Sequence, residues 1–222
     1  MRQDVRSLLD AADHVLIAFD GPLCTVFDPS ASRGAAERLR LLLGANLPRN
    51  VARSDDPFEV LRYASSCGEN TAYVVERQLS AYEAEAVAFG AATDGVVDAM
   101  RTLNSGGHSV TAVGNQSVQA IRSFLTVHDL LGTVRRISGR VDARTTKLLP
   151  DPFLLNQVIE AVGTVPRRCL LIGATAADAQ AAQAAGIPVL GYGAAVPRKL
   201  AAATIESMTE LVVEELLNWP VR

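Results

Sequence analysis

Asp20 closes an apolar run, His14-Val15-Leu16-Ile17-Ala18-Phe19, and is followed at once by Gly21-Pro22-Leu23. A carboxylate set where a buried strand gives way to a turn is placed for general acid or general base work. Two later stretches have the same form. Val110-Thr111-Ala112-Val113 leads to Gly114-Asn115-Gln116-Ser117, and Leu170-Leu171-Ile172 leads to Gly173-Ala174-Thr175 and on to Asp178. Between them lies Lys147-Leu148-Leu149-Pro150-Asp151-Pro152. Asp20, Asn115, Lys147 and Asp178 are the candidate pocket residues. Asp20 is the one that could carry metal-free acid/base chemistry, with His108, Lys147 or Asp178 as helpers. His108 precedes its strand and so falls at the wrong end. Each residue also has a plain structural role: Asp20-Gly21 makes a good turn, Asn115 and Ser117 suit the cap of a following helix, Lys147 suits solvent, and Asp178 suits a first helical turn.

The elements that must position these residues follow from periodicity. Five short apolar runs read as strands: His14–Phe19, Ser109–Val113, Val134–Ser138, Cys169–Ile172 and Pro188–Leu190. They lack clean alternation, as strands covered on both faces do. Helical patterns lie at Gly95–Leu103, Val118–Leu125, Pro152–Val162 and Ala176–Ala185, the last stopped by Gly186-Ile187-Pro188. Strand–helix alternation predicts a Rossmann-like α/β fold, a parallel sheet flanked by helices. Residues 28–93 differ, with helical patterns at Arg33–Leu43, Pro57–Ser66 and Asn70–Ala88 and no convincing strand. They are expected to form an all-helical cap inserted after the first strand, leaving residues 1–27 and 94–222 as the α/β core. Met208–Trp219 reads as an amphipathic helix with Trp219 on the core.

Composition narrows the function classes. The chain has 222 residues, 49% hydrophobic and 20% charged, with a net charge of −3; this describes an ordinary globular protein. No charge block suggests nucleic acid or an anionic membrane as a partner. No apolar run is long enough to span a bilayer, and residues 1–6 lack a signal-peptide pattern, so a cytoplasmic location is expected. Cys24, Cys67 and Cys169 are few and widely spaced, which points to buried hydrophobes rather than disulfides or zinc.

Taken in order, the fragments around Asp20, Gly114, Pro150 and Gly173 resemble the four motifs of the haloacid dehalogenase (HAD) superfamily of phosphatases. The resemblance implies phosphoaspartyl chemistry: an Asp nucleophile at position 18, an acid/base Asp at 20, a phosphate-holding hydroxyl at 114, a Lys at 149, and a Mg²⁺-binding Asp at 174. This chain has Ala18, Gly114, Leu149 and Ala174 there. Asp20 and Asp178 remain at their motif positions, and Lys147 stands two residues before the motif's Lys. The carboxylates and the Lys are absent together, so neither is left uncompensated in the pocket.

The sequence therefore predicts a HAD-like pseudoenzyme with no phosphoaspartyl phosphatase activity, no catalytic residue and no Mg²⁺ or other cofactor. Its expected role is binding or regulation, through a protein partner, a small-molecule ligand or a homodimer. The alternatives are a rebuilt lyase, isomerase or cyclisation enzyme acting through Asp20 in the core–cap cleft, and a weak phosphate-ester hydrolase.

Overall fold

The computed structural model describes residues 1–212. Helix α1 (Gln3–Asp10) leads into strand β1 (His14–Ala18), after which come four helices: α2 (Pro29–Leu41), α3 (Arg49–Ala52), α4 (Pro57–Ser66) and α5 (Glu69–Phe89). The chain then alternates through α6 (Val96–Ser105), β2 (Ser109–Ser117), α7 (Val118–Val127), β3 (Arg136–Arg140), α8 (Phe153–Val162), β4 (Cys169–Gly173), α9 (Ala176–Ala185), β5 (Val189–Tyr192) and β6 (Ala203–Ile205).

All six strands run parallel, in the order β3-β2-β1-β4-β5-β6. The Rossmann-like α/β reading holds. Strand β1 lies between β2 and β4, with Ile17 opposite both Ala112 and Ile172. The order reverses there, so loops leaving β1, β2 and β4 diverge around a crevice at their carboxyl ends. Successive residues of β1 serve opposite faces. Val15 and Ile17 pack with α1, α6 and α7, whereas Leu16 packs with Leu155 and Val158 of α8 and Ala179 and Ala182 of α9.

Helices α2, α4 and α5 bury their own cluster, including Leu39, Val60, Leu61, Val75 and Leu79. Two starts are written in the sequence. The Asp28 side chain accepts from the Ser30 and Ala31 N–H groups ahead of Pro29, and Asp56 accepts from Phe58 N–H ahead of Pro57. An oxygen acceptor at the cap followed by Pro at the first helical position is a strong start signal.

Several expectations need correction. Strand β2 runs four residues beyond Val113, with a register shift between Val113 and Ser117. Strand β3 begins at Arg136, not Val134. A sixth strand, β6, adds to the five expected and pairs with β5 at the sheet edge. The expected helix from Met208 is instead a 3-10 turn over Met208–Leu211, capped by the Ser207 hydroxyl, with Val212 extended. The rest of that expectation, including Trp219, lies outside the described residues. Cys24 and Cys169 are buried, but Cys67 is exposed because it caps α4 at the surface.

Candidate functional site

A cleft of about 250 Å³ opens at the carboxyl ends of β1, β2 and β4, beneath the start of α4. Its floor carries Ala18, Phe19, Val113, Gly114 and Leu149, and its polar walls include Asp20, Asn115, Gln116 and Asp178. Asp56, Phe58 and Arg62 of the helical segment overhang it. Phe58 and Arg62 are four residues apart on α4 and so share its cleft-facing side.

Asp20 stands two residues past the end of the β1–β2 ladder, and its Oδ1 accepts from the Val26 N–H at 3.1 Å. The side chain keeps an exposed edge on the cleft. Desolvation raises its pKa above the usual carboxylate value, and the charges of Asp178 and Glu83 push the same way. Gly21 follows at φ +100°, and a Cβ there would lie 2.5 Å from the Cβ of Ala174. Only glycine lets the loop after β1 close against the loop after β4 in this way. That contact packs Ala174 against Gly21, while its neighbours Thr175 and Ala177 line the cleft.

Asp178 does what an acid at the third position of a helix does. Its Oδ2 accepts from the N–H groups of Ala174 (3.0 Å) and Thr175 (2.9 Å), while the Thr175 hydroxyl accepts from the Asp178 N–H in a capping box. The carboxyl is buried, and that burial raises its pKa.

Asn115 lines the cleft but caps no helix. Its Oδ1 accepts from the Leu149 N–H at 2.8 Å, and its Nδ2 donates to the Leu149 carbonyl at 3.3 Å, which pins the loop carrying Leu149 to the end of β2. The cap of α7 is Ser117, whose hydroxyl accepts from the Ala120 N–H. Lys147 is not in this cleft. It lines a neighbouring depression with Asp142 and Arg144, and its Nζ lies 4.3 Å from the Phe153 ring centroid. The backbone turns between Lys147 and Leu149, so Leu149 faces the cleft in its place.

No histidine lines the cleft. His108 precedes β2 and bonds the Ala12 carbonyl through Nδ1, His14 begins β1, and His128 bonds the Gly90 carbonyl. Asp20 is thus without an imidazole partner, and its carboxyl can supply proton transfer by itself.

The Mg²⁺ that the resemblance implies does not fit these residues. Ala18 and Ala174 offer no oxygen from their side chains, and Asp178 spends its Oδ2 on two amides. Among the described residues no three His, Cys, Asp or Glu side chains gather as a metal-holding group.

Sequence reasoning missed Gln116, Phe58, Arg62, Arg140 and Glu83. Gln116 is 4% exposed, and its Oε1 has no hydrogen-bond partner among the described residues. Arg140 and Glu83 form a buried ion pair directly behind Asn115. The Asp56-Pro57 start and the Phe58–Arg62 spacing were the only available signals.

Comparison with known proteins agrees with this architecture. The phosphoglycolate phosphatase of Escherichia coli (strain K12) is 29% identical over 123 residues, 53% of this chain and 48% of that protein. That of Salmonella choleraesuis (strain SC-B67) is 33% identical over 100 residues, 44% of this chain and 39% of that protein. The chain thus matches half or less of the length of these curated relatives. A HAD-superfamily hydrolase, subfamily IA, variant 1, from Geobacter sulfurreducens PCA superposes with a TM-score of 0.62 at 24% identity, over 94% of this chain and 97% of that one. A predicted phosphatase from Clostridium acetobutylicum does so with a TM-score of 0.71 at 15% identity, over 94% and 99%. At these identities the structural likenesses show the fold alone. The family model described as haloacid dehalogenase-like hydrolase matches residues 54–192. With more than half of its length matched by that model, the chain belongs to the haloacid dehalogenase-like hydrolase family.

Proposed function

We propose that this protein is a HAD-like pseudoenzyme: its cleft binds a ligand or supports a partner protein and carries out no phosphoaspartyl phosphatase reaction. The observation that carries the reading is the cleft floor. Ala18 and Leu149 stand where a nucleophilic carboxylate and a phosphate-holding ammonium are required, and Asp178 has its carboxylate bound to backbone amides. An acid/base group without a nucleophile cannot form an aspartyl ester. In this reading residues 28–93 act as a helical cap over the core formed by residues 1–27 and 94–222, and the protein works in the cytoplasm.

Likeness to phosphoglycolate phosphatases over about half of the chain favours a second reading, a phosphate-ester hydrolase of low activity that relies on Asp20. Incubation with Mg²⁺ and a panel of phosphate esters separates the two. The first reading expects no turnover; turnover that disappears in Asp20→Asn would establish the second.

A further inference from the structure

We infer that the cleft takes a small ligand presenting an ammonium or similar cationic hydrogen-bond donor to Asp20 and Gln116, and that it rejects phosphoanions. This rests on the proposed reading of the cleft as a binding site and names the class of molecule bound.

The first observation is the balance of charge. Among the described residues Arg62 is the one cation lining the cleft, and it is already engaged, with Nη1 3.6 Å from Asp56 Oδ2 and 3.2 Å from Glu59 Oε2. Asp20 has no ion-pair partner among the described residues, and only the Val26 N–H is donated to it. An anion entering the cleft meets this carboxylate while the one lining cation is held by Asp56 and Glu59, whereas a cation supplies the partner that Asp20 lacks.

The second observation is independent of charge. Gln116 is 4% exposed, lines the same cleft, and leaves its Oε1 unpaired among the described residues. That oxygen lies 2.6 Å from where a Cβ on Gly114 would stand, so a carboxamide acceptor fills the floor position at which a side chain of residue 114 would begin. A buried acceptor without a donor is costly. A phosphate dianion brings acceptors only, but an ammonium brings three donors. Phe19, Phe58 and Leu149 add apolar surface to a lining that also carries Asn115 and Thr175, and about 250 Å³ suits a compact organic amine.

The test is thermal unfolding of the whole protein with benzylammonium, benzoate or inorganic phosphate at matched ionic strength. Benzylammonium is expected to raise the midpoint in a saturable way, and the two anions are expected to leave it unchanged. Asp20→Asn, which retains an acceptor for Val26, should weaken the benzylammonium response roughly tenfold or more. Gln116→Leu should weaken it too, and Asp98→Asn, on the outer face of α6, should not. Equal or larger stabilisation by either anion, or a benzylammonium response unchanged in both Asp20→Asn and Gln116→Leu, overturns the inference. Absence of any benzylammonium response in a protein that also fails to turn over phosphate esters removes this inference alone. Ester turnover removes the underlying reading.

Discussion

Arg140 and Glu83 form a two-pronged ion pair sealed from water: Nη1 reaches Oε1 at 2.9 Å and Nη2 reaches Oε2 at 3.0 Å, with side-chain exposures of 1% and 0%. The remaining guanidinium donors go to Glu76 (3.2 Å), the Ser80 hydroxyl (3.0 Å) and the Asn115 carbonyl (2.7 Å). Glu83 Oε2 also accepts from the Ser117 N–H at 2.9 Å. Two turns of α5 are thereby joined to the ends of β2 and β3, immediately behind the cleft residue Asn115.

Removing one partner of a satisfied buried pair leaves an uncompensated charge. Arg140→Met is therefore expected to cost about 3–5 kcal/mol in urea unfolding. The double variant Arg140→Met/Glu83→Leu should recover part of that loss, because the sealed Glu83 charge is then gone, while Glu76 and the Ser117 N–H are left without their partners. A single variant losing less than about 1 kcal/mol would contradict this role.

This pair also shows where reading the sequence stopped. Strand–helix alternation and the apolar runs after position 94 were legible because local periodicity and Gly186, which takes φ +71° at the end of α9, encode them directly. Strand β6 is only Ala-Thr-Ile and carries no such period; its pairing with β5 supplies the order. Among the site residues, Asp20 was legible from its place after β1, and Asp178 from its place at the start of a helix. Arg140 and Glu83 lie 57 positions apart, and each reads locally as an ordinary surface charge. Only the approach of α5 to β3 buries them. Lys147 is the converse case: nearness in sequence suggested the cleft, and the turn before Leu149 carries it elsewhere.

His14 predicts a pH dependence. Its Nε2 lies 2.8 Å from the Thr111 hydroxyl inside the sheet, and burial, aided by the charge of Arg135, lowers its pKa from 6.5 to about 4. Between those values the unfolded chain takes up a proton that the folded chain does not, so stability rises with pH from about 4 to 6.5. The full contribution is on the order of 3 kcal/mol. His14→Gln should flatten this segment in urea titrations at stepped pH; an unchanged slope would contradict the assignment.

Asp20 has the opposite sign. Desolvation, then Asp178 and Glu83, raise its pKa, so its contribution to stability is lost as pH rises from the ordinary carboxylate range through the raised value. Asp20→Asn removes the charge and can still accept from Val26. Its melting midpoint at pH 7 should match or exceed that of the wild type, and a clear drop would mean that the carboxylate is held by a favourable partner.

Gly114→Ser is expected to destabilise by about 1–3 kcal/mol, because the new Cβ would lie 2.6 Å from Gln116 Oε1 and 3.2 Å from the Phe19 Cβ. Combining it with Gln116→Ala should relieve much of the cost, which a double-mutant cycle in urea reads directly. Strictly additive losses would show that Gln116 does not fill that space.

Ala18, Gly114 and Leu149 line this cleft and Ala174 packs against Gly21 beside it, so four altered positions, and not a missing nucleophile alone, set it apart from the family pattern. Ala18→Asp puts a carboxylate back at the end of β1 but leaves Gly114, Leu149 and Ala174 in place. The most direct measurement is Mg²⁺-dependent phosphate release from 2-phosphoglycolate by the wild type and by Ala18→Asp. No turnover above the buffer rate is expected from either protein; Mg²⁺-dependent turnover by either one would contradict the account.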